Sequence, residues 1–332
     1  MSKFIKLFSV CWVFTFFCWL IYCLFQFDLF KAISDLAPYW PLYLIASLVS
    51  YVLATLGWRY LDSENELDRI NFLDLFFIRQ AGESLGQINP LGVVGGDVLK
   101  TKLIKKVIGN GANTLSSIYF LRIQSILSFV VISVGLLLFL IYQRFGLLNI
   151  NFWFFAIIAL FVITGMYLFL RYIFHFLKVL MCLLESKFKN PIFNKLIVIF
   201  SEMENISKQL FQTRNSFFGH FLLILHWMAG GFEVYLILFM MGLKIDVSNA
   251  FLVDSGTMIV KTIGQVIPAQ VGVEELGNKL ILQNMVVVAP STWIVFSLLR
   301  RLRQILWIII SFIYLFIIKY GYTKNENSLS IS

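Results

Sequence analysis

Gly86-Gln87-Ile88-Asn89-Pro90 recurs as Gly264-Gln265-Val266-Ile267-Pro268, and these two stretches decide the fold. They lie 178 residues apart, the difference between Pro90 and Pro268. The register holds without gaps beyond the motif: Ser84 aligns with Thr262, Leu85 with Ile263, Val93 with Val271 and Asp97 with Glu275. Arg122 aligns with Arg300, so an arginine stands 32 residues after each proline. A register kept that far identifies an internal repeat. Each copy places a helix-breaking Gly/Pro run inside an apolar chain. In a membrane protein, corresponding breaks in two halves point to a binding site.

The chain has 332 residues, of which 59% are hydrophobic and 14% charged. A soluble domain is nearer half apolar and a quarter charged, so this composition specifies an all-α polytopic membrane protein. The net charge of +9 sits mostly in a few loops, which fits membrane orientation and anionic headgroups rather than nucleic acid. Cys11, Cys18, Cys23 and Cys182 form no disulfide framework or metal spacing. No Ser/His/Asp set, P-loop or zinc motif appears, so no enzyme activity, cofactor or metal is expected.

Lys3 and Lys6 precede an apolar run from Leu7 to Phe27, read as an uncleaved first span. A second span covers about 39–61. Phe72 to Ile88 is apolar but short: 17 helical residues rise about 26 Å, less than the roughly 30 Å hydrocarbon core. The break follows, and Gly95-Gly96-Asp97 opens a basic helix with Lys100, Lys102, Lys105 and Lys106. The unit reads as a re-entrant hairpin whose broken backbone is buried in protein or lines a wet cavity. Spans follow at 113–142 and 151–174, with amphipathic surface helices over 175–216. A further span covers 217–243, and 249–288 forms the second hairpin. The last span is 291–320, and a polar, disordered tail begins at Thr323.

This layout has six spans and two hairpins in one membrane domain, residues 1–322, with repeat halves at about 39–142 and 217–320. Three spans separate the hairpins, so the repeat is expected to be inverted. With the N-terminus inside, 19 of the 27 Lys and Arg residues fall on the inner side. That places both termini in the cytoplasm.

Several residues carry candidate chemistry. Arg122 and Arg300 are costly within a span. They either form a fork for a lipid phosphate or make structural ion pairs, for example with Glu233. Gly95, Gly96 and Gly272 precede helix starts, where backbone N–H groups favour an anion; alternatively Asp97, Glu274 or Glu275 caps those helices. Gln87 and Gln265 lie at the breaks as further headgroup ligands. Glu83 and Lys261 are equivalent in the repeat, opposite in charge, and not expected to be partners. Gly82 and Gly86 form a small-xxx-small packing face.

The Gly-Gln…Pro run with Gly-Gly-Asp and a basic helix (Gly86 to Lys102), Ile267-Pro268 with Gly272-Val273-Glu274, and a helix bearing Arg300 and Arg301 together carry a likeness. They resemble the lysylphosphatidylglycerol synthase transmembrane-region family of flippase-like bacterial membrane proteins. Some members of that family carry a soluble aminoacyl-transferase domain; this chain ends at Ser332 without one. The resemblance therefore implies the flippase-like membrane part: binding or translocation of an anionic or isoprenoid-linked lipid. The alternative is a non-catalytic membrane partner of a lipid-modifying or glycan-assembly enzyme.

Overall fold

A computed structural model describes residues 37–62, 66–88, 92–109, 114–144, 152–188, 191–209, 214–264, 272–285 and 292–329, with Cys18, Tyr22, Ser34, Ile267 and Gln270. The described residues are all-helical. The helices are α1 (Trp40–Leu61), α2 (Phe72–Ile88), α3 (Gly92–Ile108), α4 (Thr114–Arg144) and α5 (Phe152–Phe188). They continue with α6 (Pro191–Gln209), α7 (Arg214–Met240), α8 (Val247–Ile263), α9 (Val273–Met285) and α10 (Thr292–Leu329). Three stretches among them are long and apolar enough to cross a membrane: Trp40–Leu61, Ser117–Phe139 and Asn215–Met240. The span expected at 7–27, the tip residues Asn89, Pro90 and Pro268, and Gln265 lie outside the described residues.

The repeat is visible in the order of elements. α1 to α4 and α7 to α10 each run long helix, short arm, returning arm, long helix. Thr114 and Thr292, the first residues of α4 and α10, are again 178 apart. Arg122 and Arg300 are therefore the ninth residue of their helices. The short arms α2 and α8 are both 17 residues.

Helix boundaries differ from expectation at three places. α3 begins at Gly92, so Gly95 and Gly96 lie within the helix rather than before it. α5 does not stop at Phe174; it runs 37 residues to Phe188, about 55 Å, because no proline interrupts it before Pro191. Pro191 then opens α6, at the position where its missing N–H does no harm. α10 continues through Leu329, past the polar residues from Thr323, because Gly321 alone costs only about 1 kcal/mol and no proline follows.

The chain divides into two compact units. One comprises residues 1–55, 66–114 and 228–332. Its core joins Tyr43 of α1, Val234, Ile237 and Leu238 of α7, Val253 of α8, Leu282 of α9, and Phe296 and Leu299 of α10. Polar staples fix the helix order. Thr257 of α8 donates to Asn278 Oδ1 of α9 at 3.0 Å, and Asn278 Nδ2 donates to Ser297 Oγ of α10 at 2.9 Å. Trp307 Nε1 donates to Ser47 Oγ at 3.0 Å. α2 packs on α10, where Tyr314 donates to Asp74 and stacks on Phe77 with ring centres 4.0 Å apart.

The two arms of the first hairpin meet through glycines. A Cβ on Gly96 would stand 2.1 Å from the Gly82 carbonyl oxygen and 3.2 Å from Gly86 N. The small-residue face expected at Gly82 and Gly86 is thus where α3 presses on α2. In the second hairpin, a Cβ on Gly264 would stand 2.3 Å from Val273 Cγ1. The motif glycine Gly264 thus marks the closure of the second hairpin, whereas in the first the closest approach is at Gly82, one turn before the motif glycine Gly86.

The other unit comprises residues 56–65 and 115–227. Gly57 and Gly219 let α1 and α7 approach closely: a Cβ on Gly219 would lie 3.0 Å from the Gly57 carbonyl oxygen. Trp58 Nε1 donates to Ser117 Oγ at 2.9 Å, and Trp227 Nε1 to the Ser125 carbonyl at 3.0 Å. α5 and α6 form an antiparallel pair pinned by Glu204, which meets Lys208 at 2.7 Å and both Lys178 and His175 at 3.2 Å.

Lys208, Lys178 and His175 draw the Glu204 carboxyl down from 4.5 to about 2, against the opposing effect of burial. A depressed carboxylate contributes stability that is full above its ordinary value and lost as pH falls toward its folded value. The α5–α6 pair is therefore expected to loosen between about pH 4.5 and 2. Hydrogen exchange over 175–209 measures this, with Glu204→Gln as the reference. An exchange difference between the two proteins that does not shrink with acid would refute it.

Candidate functional site: a charge-matched cluster at the second hairpin

α10 carries Arg300, Arg301, Arg303 and Gln304 within little more than one turn, and all four point at acids of the second half. Arg300 is buried, 4% exposed. Its Nη2 lies 3.2 Å from Asp254 Oδ1 of α8, and its Nε lies 3.2 Å from Glu274 Oε1 of α9. Arg301 Nε donates to Glu275 Oε1 at 2.8 Å, and its Nη2 donates to the Gln270 carbonyl at 2.9 Å. Arg303 pairs with Glu233 of α7. Lys261, on the first arm, lies 3.2 Å from Glu274 Oε2, and Gln304 Nε2 donates to the same oxygen at 3.1 Å. Among the described residues, these pairs match four carboxylates (Glu233, Asp254, Glu274, Glu275) with four cations (Lys261, Arg300, Arg301, Arg303).

Glu274 is the hub. It is fully buried, and Lys261, Arg300, Arg301 and Gln304 surround it. Helix geometry puts it there: Gly272, at φ +82°, turns the chain into α9, and Glu275 in the first turn accepts the Gly272 N–H at 2.8 Å. This is half of a capping box. The Gly272 N–H is thereby committed to Glu275 and is not offered to an outside anion.

The first hairpin has a cluster of its own. Lys100 is fully buried, with Nζ 2.6 Å from Glu83 Oε1 and 3.1 Å from Asp97 Oδ1. Glu83 and Lys261 are not partners, as the repeat positions imply; each pairs across its own hairpin. The polarity is exchanged. Hairpin one has the acid on the first arm and the base on the return, and hairpin two the reverse.

The expected residues divide as follows. Arg300, Glu233, Lys261, Glu274, Glu275 and Gly272 come together in one unit. Glu233 does balance an arginine, but Arg303 rather than Arg300 or Arg122. Glu83 and Asp97 join in the first hairpin; Gly95 and the buried Gly96 lie within α3, and Gln87 is half-buried in the last turn of α2. Arg122 is half-buried on α4, in the other compact unit. Asp254, Lys100 and Gln304 are the residues that sequence reasoning missed. The signal for Asp254 was an acid in the middle of a short apolar arm.

Comparison with family models matches residues 6–311 to the family described as lysylphosphatidylglycerol synthase TM region. The chain belongs to that family, and is a multi-pass membrane protein of a family tied to lipid metabolism. Comparison with curated proteins and with solved structures returned no match.

Proposed function

We propose that this protein binds an anionic or isoprenoid-linked lipid through its phosphate at Arg300 and moves it across the bacterial inner membrane. One observation carries the reading. Arg300 is buried, yet its Nε and Nη1 have no hydrogen-bond partner among the described residues. Asp254 and Glu274 balance its charge without filling its donors. A buried guanidinium with unfilled donors has capacity for a phosphate, and a two-bond fork would draw on Nη2 as well, the donor now held by Asp254. Arg122, the repeat equivalent, is the corresponding candidate in the first half, and Gln87 and Gln265 are further candidate headgroup ligands. In this reading the two hairpins are re-entrant and enter the membrane from opposite faces. One half rocks against the other around that site.

Arg122→Ala and Arg300→Ala are expected to weaken binding of an anionic lipid by about 1.5–3 kcal/mol, roughly ten- to hundredfold. Lysine restores only part, lacking the fork. Lipid titration of purified variants measures this, and unchanged binding in both would leave the arginines as scaffold. Translocation of labelled lipid in proteoliposomes tests transport.

The inverted layout, with both termini cytoplasmic, predicts that a cysteine at exposed Lys102 labels only from the inside in intact cells. External labelling there would mean that α2 and α3 cross the membrane. A second reading, a non-catalytic partner of a lipid-modifying or glycan-assembly enzyme, draws on exposed Phe176, Leu183 and Val198 along the α5–α6 pair. A stably co-purifying enzyme favours it.

A further inference from the structure

We propose that binding of a lipid anion at Arg300 is coupled to uptake of a proton by Asp254, so that the two enter the site together. This rests on Arg300 being the headgroup ligand.

The cluster at the second hairpin is already charge-matched, four carboxylates against four cations. A phosphate monoanion bound there adds one uncompensated negative charge among buried groups. An unbalanced charge away from water is strongly unfavourable, and the usual relief is protonation of an acid. The geometry selects which acid. Glu274 retains Lys261, Arg301 and Gln304 if Arg300 turns away. Glu275 retains Arg301 and the Gly272 N–H. Glu233 retains Arg303. Among the described residues, Asp254 has Arg300 alone as its ionic partner, at 3.2 Å.

Nothing else packed around Asp254 replaces that cation. α7 presents Gly230, whose Cβ would stand 3.2 Å from Asp254 Oδ2, and the like-charged Glu233. α9 presents Glu274, which shares Arg300. α10 presents Arg300 itself and, beyond it, Arg303, which is committed to Glu233. On α8, Thr257 is turned to the Val253 carbonyl and Asn278, and Lys261 is paired with Glu274. When Arg300 swings its fork to a phosphate, Asp254 becomes a buried carboxylate without a counter-charge. Its side chain keeps 11% exposure, which leaves a path for a proton. One proton from water then joins an Asp254 oxygen as one phosphate joins Arg300. The net charge of the cluster is the same before and after, and no bond in the lipid is broken.

The test uses the full chain in detergent, with dioctanoyl phosphatidylglycerol as the probe and dioctanoyl phosphatidylcholine as the control. Calorimetry in two buffers of different ionisation heat counts protons. About one proton taken up per lipid is expected, with Kd rising by up to about tenfold per pH unit across the linked range. Asp254→Asn should bind the lipid with no proton uptake and a flat pH profile. Wild-type binding that is lost in Arg300→Ala but takes up no proton overturns the coupling and leaves the headgroup reading intact. The same proton count in wild type and Asp254→Asn overturns Asp254 as the acceptor. No binding of phosphatidylglycerol, or binding indifferent to Arg300→Ala, overturns both. The wild-type proton count decides the matter even if Asp254→Asn does not fold.

Discussion

Glu274→Ala is expected to destabilise the protein by about 3–5 kcal/mol, the range for breaking a buried ion pair from one side. Glu274 is fully buried and, among the described residues, is the only carboxylate paired with Lys261. Its loss strands that ammonium, removes one of two acids from Arg300 and leaves the Gln304 amide without its acceptor. The damage is a matter of charge balance more than of lost volume. Removing Lys261 as well leaves Arg300 with Asp254, Arg301 with Glu275 and Arg303 with Glu233, three against three. Lys261→Met/Glu274→Ala should therefore recover part of the loss, and the double-mutant cycle should show strong coupling. The measurement is the denaturation midpoint in detergent. A Glu274→Ala protein within about 1 kcal/mol of wild type would show that the hub is not buried in the working state.

Lys100→Ala should carry a loss of similar size, about 3–5 kcal/mol, for two reasons that a second variant separates. The ammonium holds Glu83 and Asp97, so its removal leaves two carboxylates facing each other across the hairpin. The alkyl stem also fills the space over Gly82, whose Cβ would stand 2.4 Å from Lys100 Cγ. Methionine keeps most of the stem and none of the charge. Lys100→Met should retain the packing share, and adding Glu83→Gln should recover more by removing one of the two acids. If methionine alone restores wild-type stability, the ion pairs contribute nothing, and Lys100 is a spacer between two glycine-lined arms.

The sequence made some of this plain. α2 was readable to the residue, because Asn71 before Phe72 can cap and Asn89-Pro90 must break. The 178-residue register carried through to the first residue of α10. Contacts across the chain were not readable. Glu233 looked like a partner for an in-span arginine, and it is one. Three arginines within four positions of α10 could not be ranked without knowing which face of the helix meets α7. Asp254 stands out as an acid within a short apolar arm, but it lies 46 residues from Arg300, and nothing in the sequence links the two. Lys100 looked like one of four solvated lysines on a basic arm, yet it is buried, because the glycines opposite it make room for a side chain the hydropathy pattern would leave outside. The start of α3 was misplaced for a related reason: Gly95-Gly96 suggested a break, whereas tertiary contact with Gly82 uses them inside the helix.

The pairs also differ in when they can form as the chain emerges from the ribosome. Lys100 follows Glu83 by 17 residues, so the first hairpin carries its own counter-ion while it is being made. Lys261 and Glu274, 13 residues apart, do the same for the second. Glu233 waits 70 residues for Arg303. At about 5–20 residues per second, that is roughly 4–14 s in which an apolar helix holds an acid before its own counter-ion is synthesised. The hairpins can therefore close as they are born, whereas the cluster around α10 is completed only when Arg303 has been added.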